Sequence, residues 1–131
     1  MHSSGQNVAG YLCHGIYSAI YHRFPVDHVK WTGNSGWWII ETIESFNGQP
    51  CAGQSDYWLW FSSRAFVAST GSDYSMTPIG AVTHVDEPGN ARNLAYLYFG
   101  LWEVGKNFAI CAWNSRLTPY FQAVGDPFVS K

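Results

Sequence analysis

The sequence predicts a single α/β domain over residues 1–131, built on a mainly parallel sheet that helices cover. Apolar residues make up 47% of the chain, which excludes disorder and is enough for a sizeable core. The strand-like runs are apolar without polar alternation, as in strands that are buried on both faces. They also alternate along the chain with amphipathic helical segments, which is typical of parallel sheets.

The first half of the chain is predicted to contain two strand-like segments separated by a loop. Residues 8–14 form a short apolar run and predict a buried strand. Residues 15–36 are rich in turn-forming residues and predict mostly loop. Residues 37–46 are ambiguous, because their β-branched and aromatic content favours a strand while their apolar positions share one helical face. The local pattern alone slightly favours a helix there.

The second half predicts three helices and two strands. Residues 57–67 predict a helix capped by Ser55 or Asp56, and residues 78–84 predict a short strand. The clearest helix, residues 92–104, has apolar residues at the helical spacing. These are Leu94, Leu97, Tyr98, Leu101 and Trp102. A further helix is expected over residues 107–116, and a last strand over residues 120–124.

Charge and motif content exclude several functional classes. The net charge of −2, without any basic run, provides no surface for nucleic acid. No apolar stretch is long enough to cross a bilayer, and residues 1–4 do not begin a signal peptide. No glycine-rich phosphate loop precedes a helix, and no Cys or His motif has metal-ligand spacing. We therefore predict neither a cofactor nor a metal.

Three cysteines cannot all pair with one another. Cys13, Cys51 and Cys111 lack the spacing of a zinc site or a disulfide framework, so buried thiols are the favoured interpretation. In an exported protein, one Cys13–Cys51 or Cys51–Cys111 bridge remains the alternative.

Polar residues at strand ends are the candidates for chemistry, because ligands gather beyond the carboxyl ends of parallel strands. His14 ends the first predicted strand, and Asp86 and Glu87 follow a later one. In a catalytic interpretation His14 is a general base oriented by Asp86 or Glu87. In the favoured alternative, His14 and His84 are hydrogen-bonded histidines at the edge of the core and Glu87 is a solvated loop acid.

Trp31 is the aromatic residue best placed to bind a ligand, because it lies in a predicted loop rich in Gly and Asn. Stacking on a sugar ring would make the protein a glycan- or peptide-binding module. Core packing of Trp31 is the favoured alternative.

Five segments in order resemble gingipain-like domains, bacterial members of the caspase–hemoglobinase superfamily that include uncharacterised secreted proteins. Residues 120–128 (YFQAVGDPF) resemble their closing strand and Gly-Asp-Pro, and residues 108–113 resemble their last helix. Residues 78–88 resemble a strand and Glu-Pro loop of the uncharacterised group. Residues 9–15 are similar to the strand that ends in the catalytic His-Gly. Residues 43–48 are similar to the strand end that carries the catalytic cysteine.

The resemblance implies a three-layer α/β/α fold of which this chain is the C-terminal portion. It implies export or cell-surface display as part of a longer precursor, and it makes residues 37–46 a strand. Residues 8–14 would then be an apolar edge strand, which favours association with a second copy of the chain.

The resemblance also implies a degenerate peptidase site. His14 falls on the catalytic histidine, whereas Ser45 falls at the position of the cysteine. A hydroxyl is a poor substitute for a thiolate. Cys51 could supply the missing thiol only if the loop that carries Cys51 folded back towards the site.

Overall fold

The computed structural model describes residues 4–13, 28–52, 54, 56–67, 74–90 and 92–131. These residues form two sheets and three helices. The strands are β1 (Ser4–Gln6), β2 (Gly10–Cys13), β3 (Lys30–Thr32), β4 (Ile39–Thr42), β5 (Phe66–Val67), β6 (Gly80–His84) and β7 (Phe121–Gly125), and the helices are α1 (Tyr57–Trp60), α2 (Ala95–Glu103) and α3 (Phe108–Ser115). No helix in these ranges is long and apolar enough to cross a membrane.

The sheets are mainly parallel, as predicted. The four-stranded sheet has the order β2-β4-β6-β7, in which β7 alone runs antiparallel to its neighbour. Its register pairs Gly10 with Ile39 and Ile39 with Gly80. The three-stranded sheet has the order β1-β3-β5 and is parallel throughout. The mixed α/β class that the sequence predicts is confirmed.

The two central strands of the four-stranded sheet, β4 and β6, are buried on both faces. Ile39 and Val82 point towards α2 and α3 and pack with Tyr98, Trp102 and Phe108. Ile40 and Ala81 point the other way, into an aromatic core shared with β3, α1 and β5. Every residue of β4 and β6 is buried, which explains why their sequences do not alternate between apolar and polar.

The ambiguous segment 37–46 contains a strand, and its local helical preference was misleading. Residues Ile39–Thr42 pair with β2 on one side and β6 on the other. A helix there would bury one stripe of side chains, whereas a central strand buries all four. Tertiary pairing therefore outweighs the local pattern.

The helix predicted over residues 57–67 is wrong beyond its first turn. Only Tyr57–Trp60 is helical, and Phe66–Val67 is β5, paired with β3. The backbone N–H of Ser62 donates to the Leu59 carbonyl, and that of Ala65 donates to the Ser62 carbonyl. These two backbone hydrogen bonds form turns that end the helix and redirect the chain into β5. Strands β1 and β3 were likewise missed, since three-residue strands leave almost no periodic signal.

The C-terminal elements agree with their sequence patterns. Helix α3 begins at Asn107, whose side-chain oxygen accepts the Ile110 backbone N–H at 3.0 Å. After α2, Gly105 has a φ of 79°, the left-handed conformation that commonly ends a helix. Helix α2 begins at Ala95, later than predicted, and Asn93 is buried instead of capping it.

Two glycines provide a matched test of how Phe108 of α3 packs on β6. A Cβ at Gly80 would lie 2.5 Å from Cδ2 of the buried Phe108, whereas a Cβ at Gly100 in α2 has no neighbour within 4 Å. We expect Gly80→Ala to lower the free energy of unfolding by about 1–3 kcal/mol. Gly100→Ala should raise it by about 0.5–1 kcal/mol. Urea denaturation measures both changes, and equal effects would contradict the packing of Phe108 on β6.

Candidate functional site

The carboxyl ends of β2, β4 and β6 lie at the same edge of the four-stranded sheet because these strands are parallel. Cys13, the last residue of β2, is in register with Thr42, the last residue of β4. The pairing continues one step further, where the Ile43 backbone N–H donates to the Cys13 carbonyl at 3.1 Å. The chain that leaves β4 therefore starts beside the end of β2. His14 follows β2 in sequence and lies outside the described residues.

The loop after β4 is anchored to β6 through Asn47, which is fully buried. The Asn47 side-chain oxygen accepts the backbone N–H of His84 at 3.1 Å, and its amide nitrogen donates to the Thr42 hydroxyl. Its carbonyl accepts the Tyr57 backbone N–H at 2.9 Å. These bonds hold the loop across two strand ends.

Gly48 makes the second anchor. Its backbone N–H donates to the His84 carbonyl at 2.8 Å. A Cβ at this position would lie 2.8 Å from the Thr83 hydroxyl oxygen and 3.0 Å from the His84 carbonyl oxygen. The close approach of loop to strand therefore requires glycine.

Ser45 lies in this anchored loop, three residues after the end of β4, and is half-buried. Its hydroxyl donates to the Gln54 side-chain oxygen at 3.1 Å. The structure thus brings Ser45 to the edge where β2 and β4 end.

The cysteines differ in exposure and form no disulfide with one another. Cys13 and Cys111 are buried, whereas Cys51 is exposed, so the prediction of buried thiols was wrong for Cys51. Neither alternative disulfide is present. Cys51 has a φ of 62°, which is costly for a residue with a side chain. Its exposure follows from its place in the turn beyond the buried Asn47 and Gly48.

Asp86 and Glu87 are exposed and belong to the turn after β6. An Asp86 carboxylate oxygen accepts the Glu87 backbone N–H at 2.7 Å, and a Glu87 oxygen accepts the Gly89 backbone N–H at 3.1 Å. Both carboxylates therefore stabilise their own turn, as the solvated-acid interpretation of Glu87 expected.

Trp31 is a core residue and not a surface platform. It lies in β3, 2% exposed, stacked on Phe66 with ring centroids 5.5 Å apart. Tyr11 and Trp38 meet its ring edge-to-face at 5.1 and 5.8 Å. A residue that stacks on a ligand must present a ring face to solvent, so the stacking role does not fit. The unrecognised strand β3 is the reason, since the sequence placed Trp31 in a loop.

Glu41 is a buried titratable residue that the sequence analysis did not single out. It lies in the centre of β4, fully buried, and neither carboxylate oxygen has a hydrogen-bond partner among the described residues. Burial raises the Glu41 pKa to about 7, and the nearby Asn93 amide only partly opposes this. A lone acid in the apolar run 37–43 was the available signal.

His84 is also fully buried, at the end of β6. Its Nδ1 lies 3.3 Å from the Glu44 carbonyl oxygen, which makes Nδ1 the protonated nitrogen of the neutral ring. Nε2 has no partner within the described ranges. Burial lowers the His84 pKa, and the Arg92 charge adds to this, against the opposing effects of the Glu44 carbonyl and Glu87. His84 is therefore a buried histidine with one hydrogen-bonded ring nitrogen.

The described part of the chain contains no group of three His, Cys, Asp or Glu side chains arranged to hold a metal ion. Comparisons with protein-family models, with curated proteins and with solved structures find no match to this chain. The loop that carries Ser45 starts beside the end of β2, the strand that precedes His14 in sequence.

Proposed function

We propose that this chain is a gingipain-like domain with a caspase-like fold, from an exported bacterial protein, in which Ser45 replaces the catalytic cysteine. The site is non-catalytic. The observation that supports this is the in-register parallel pairing of β2 with β4, which brings the chain before His14 next to the loop that carries Ser45. In the resembled family, histidine and cysteine follow two such strand ends.

The chemistry of the hydroxyl explains why the site is inactive. A thiol with a pKa of about 8.5 forms thiolate readily beside an imidazole, and the thiolate is the nucleophile. A serine hydroxyl stays protonated and needs a base aligned on its oxygen. In this structure the Ser45 hydroxyl proton is instead directed at Gln54, an acceptor that cannot serve as that base.

A serine-to-cysteine exchange tests the assignment without a known substrate. In a Cys51→Ser background, Ser45→Cys should react with iodoacetamide at about pH 6 at least about tenfold faster than a thiol introduced by Ser63→Cys. An imidazole-paired thiol has a pKa lowered by one unit or more, and each unit is about tenfold in thiolate. Ser63 is a matched control, half-buried and in a turn after α1. Adding His14→Ala should remove the difference.

Two results would overturn the proposal. Equal rates for Ser45→Cys and Ser63→Cys, in folded proteins by far-UV circular dichroism, would show that Ser45 is not at the nucleophile position. Labelling of wild-type Ser45 by a fluorophosphonate would show an activated serine and an active hydrolase.

A further inference from the structure

Strand β2 lies at one edge of the four-stranded sheet that the described strands form. It pairs with β4, and no other described strand covers its other side. Proteins usually protect such an edge with charged residues or proline. Residues 4–13 (SGQNVAGYLC) contain neither.

A groove of about 290 Å³ runs beside this edge. Its lining is apolar apart from Glu103 and comes from β2 and α2. The lining residues are Ala9, Gly10, Leu12, Phe99, Trp102 and Glu103. A Cβ at Gly10 would lie 2.7 Å from Cδ1 of Phe99, so the Phe99 ring packs directly on the Gly10 backbone in this lining. Leu12, two residues further on the same face, is 48% exposed.

We propose that β2 pairs antiparallel with β2 of a second copy of this chain across a two-fold axis. When the pairing is centred on Tyr11, Leu12 of each copy lies opposite Gly10 of the other. Both positions face the helices, because Gly10 points at Phe99 and Leu12 is in register with Glu41. Each exposed leucine therefore enters the other copy's groove, and the interface is self-complementary.

The charges also favour a second copy as the occupant. Helix α2 runs antiparallel to β2, since Asn93 before its start lies near Glu41 and its Phe99 lies over Gly10. In the two-fold pair the two α2 helices are antiparallel. Glu103 contacts Lys131 but stays 65% exposed. In the dimer it faces the N-terminal end of α2 of the other copy, near the exposed Arg92 of that copy. A helix N-terminus and an arginine both attract a carboxylate.

The size of the contact predicts a weak dimer. The proposed contact consists of a four-residue strand, one leucine and its groove. It therefore buries less surface than the roughly 800 Å² per partner of a standard stable interface. We expect a dissociation constant of about 10–100 µM, and therefore an equilibrium that depends on concentration.

Sedimentation velocity between about 5 and 500 µM tests the dimer. The wild type should shift from monomer to dimer over this range. Leu12→Asp should weaken association at least about tenfold, because two carboxylates would enter the apolar grooves. Ile110→Asp, at a 41% exposed position on α3, is the matched control and should dimerise like the wild type.

Hydrogen exchange on the unmodified protein tests the same contact without a variant. The amides of residues 10–13 should gain protection at the higher concentration, while those of α3 should not change. A wild type that stays monomeric at about 500 µM would overturn the proposal. So would a Leu12→Asp variant that associates as strongly as the wild type, or a β2 whose exchange is independent of concentration.

Discussion

Trp31→Ala is expected to lower the free energy of unfolding by about 3–5 kcal/mol, the range for removing a large aromatic side chain from a packed core. The indole lies between β2, β4 and β5, where it contacts Tyr11, Trp38 and Phe66. Its loss leaves a cavity between the two sheets, and neighbouring rings in edge-to-face contact cannot close such a cavity without losing their own geometry.

Urea denaturation followed by circular dichroism measures this loss. Trp113→Ala is the matched control, since Trp113 is 64% exposed and its ring meets the Arg116 guanidinium in cation–π contact, 4.1 Å from the ring centroid. Trp113→Ala should lower the free energy of unfolding by about 1 kcal/mol or less. Equal losses of stability in the two variants would contradict the packing of Trp31 in an aromatic core between the two sheets. Trp31→Phe, which retains a ring, is the milder variant if alanine unfolds the protein.

Glu41→Gln is expected to stabilise the protein at about pH 8 by up to about 3 kcal/mol. The pKa of Glu41 is raised from 4.5 to about 7 by burial, so the folded state holds this proton more tightly than the unfolded chain does. The stability that the proton contributes is complete below about pH 4.5. It is lost as the pH rises to about 7, because the unfolded chain ionises first. Glutamine has nearly the same shape and cannot ionise.

The measurement is the free energy of unfolding from urea titrations between about pH 4 and pH 8. The wild type should lose stability over this range more steeply than Glu41→Gln, and the two should converge at the acid end. Glu103→Gln is the control, because Glu103 is a largely exposed acid and should leave the slope unchanged. Parallel pH profiles for the wild type and Glu41→Gln would show that the Glu41 carboxylate is solvated in the folded protein.

Much of the candidate site could be anticipated from strand-end chemistry. The parallel arrangement that brings the ends of β2 and β4 together follows from apolar runs between amphipathic helices. Ser45 follows from the resemblance at residues 43–48. Asn47 and Gly48, which hold the loop, could not be singled out, because their roles depend on the His84 backbone of another strand. The same is true of Glu41, whose pKa depends on the helix packed over it.

The sequence by itself determined the α/β class and the elements with strong local signals. Helices α2 and α3 show apolar residues at the helical spacing, and β6 and β7 are short apolar runs with turn residues nearby. Such signals reside within a few neighbouring residues and need no partner. Tertiary structure alone decided the rest. Residues 39–42 became a strand because strands on both sides complete its hydrogen bonds. Trp31 became a core residue because β3, with only three residues, pairs between β1 and β5, and no local pattern encodes partners so distant in the chain.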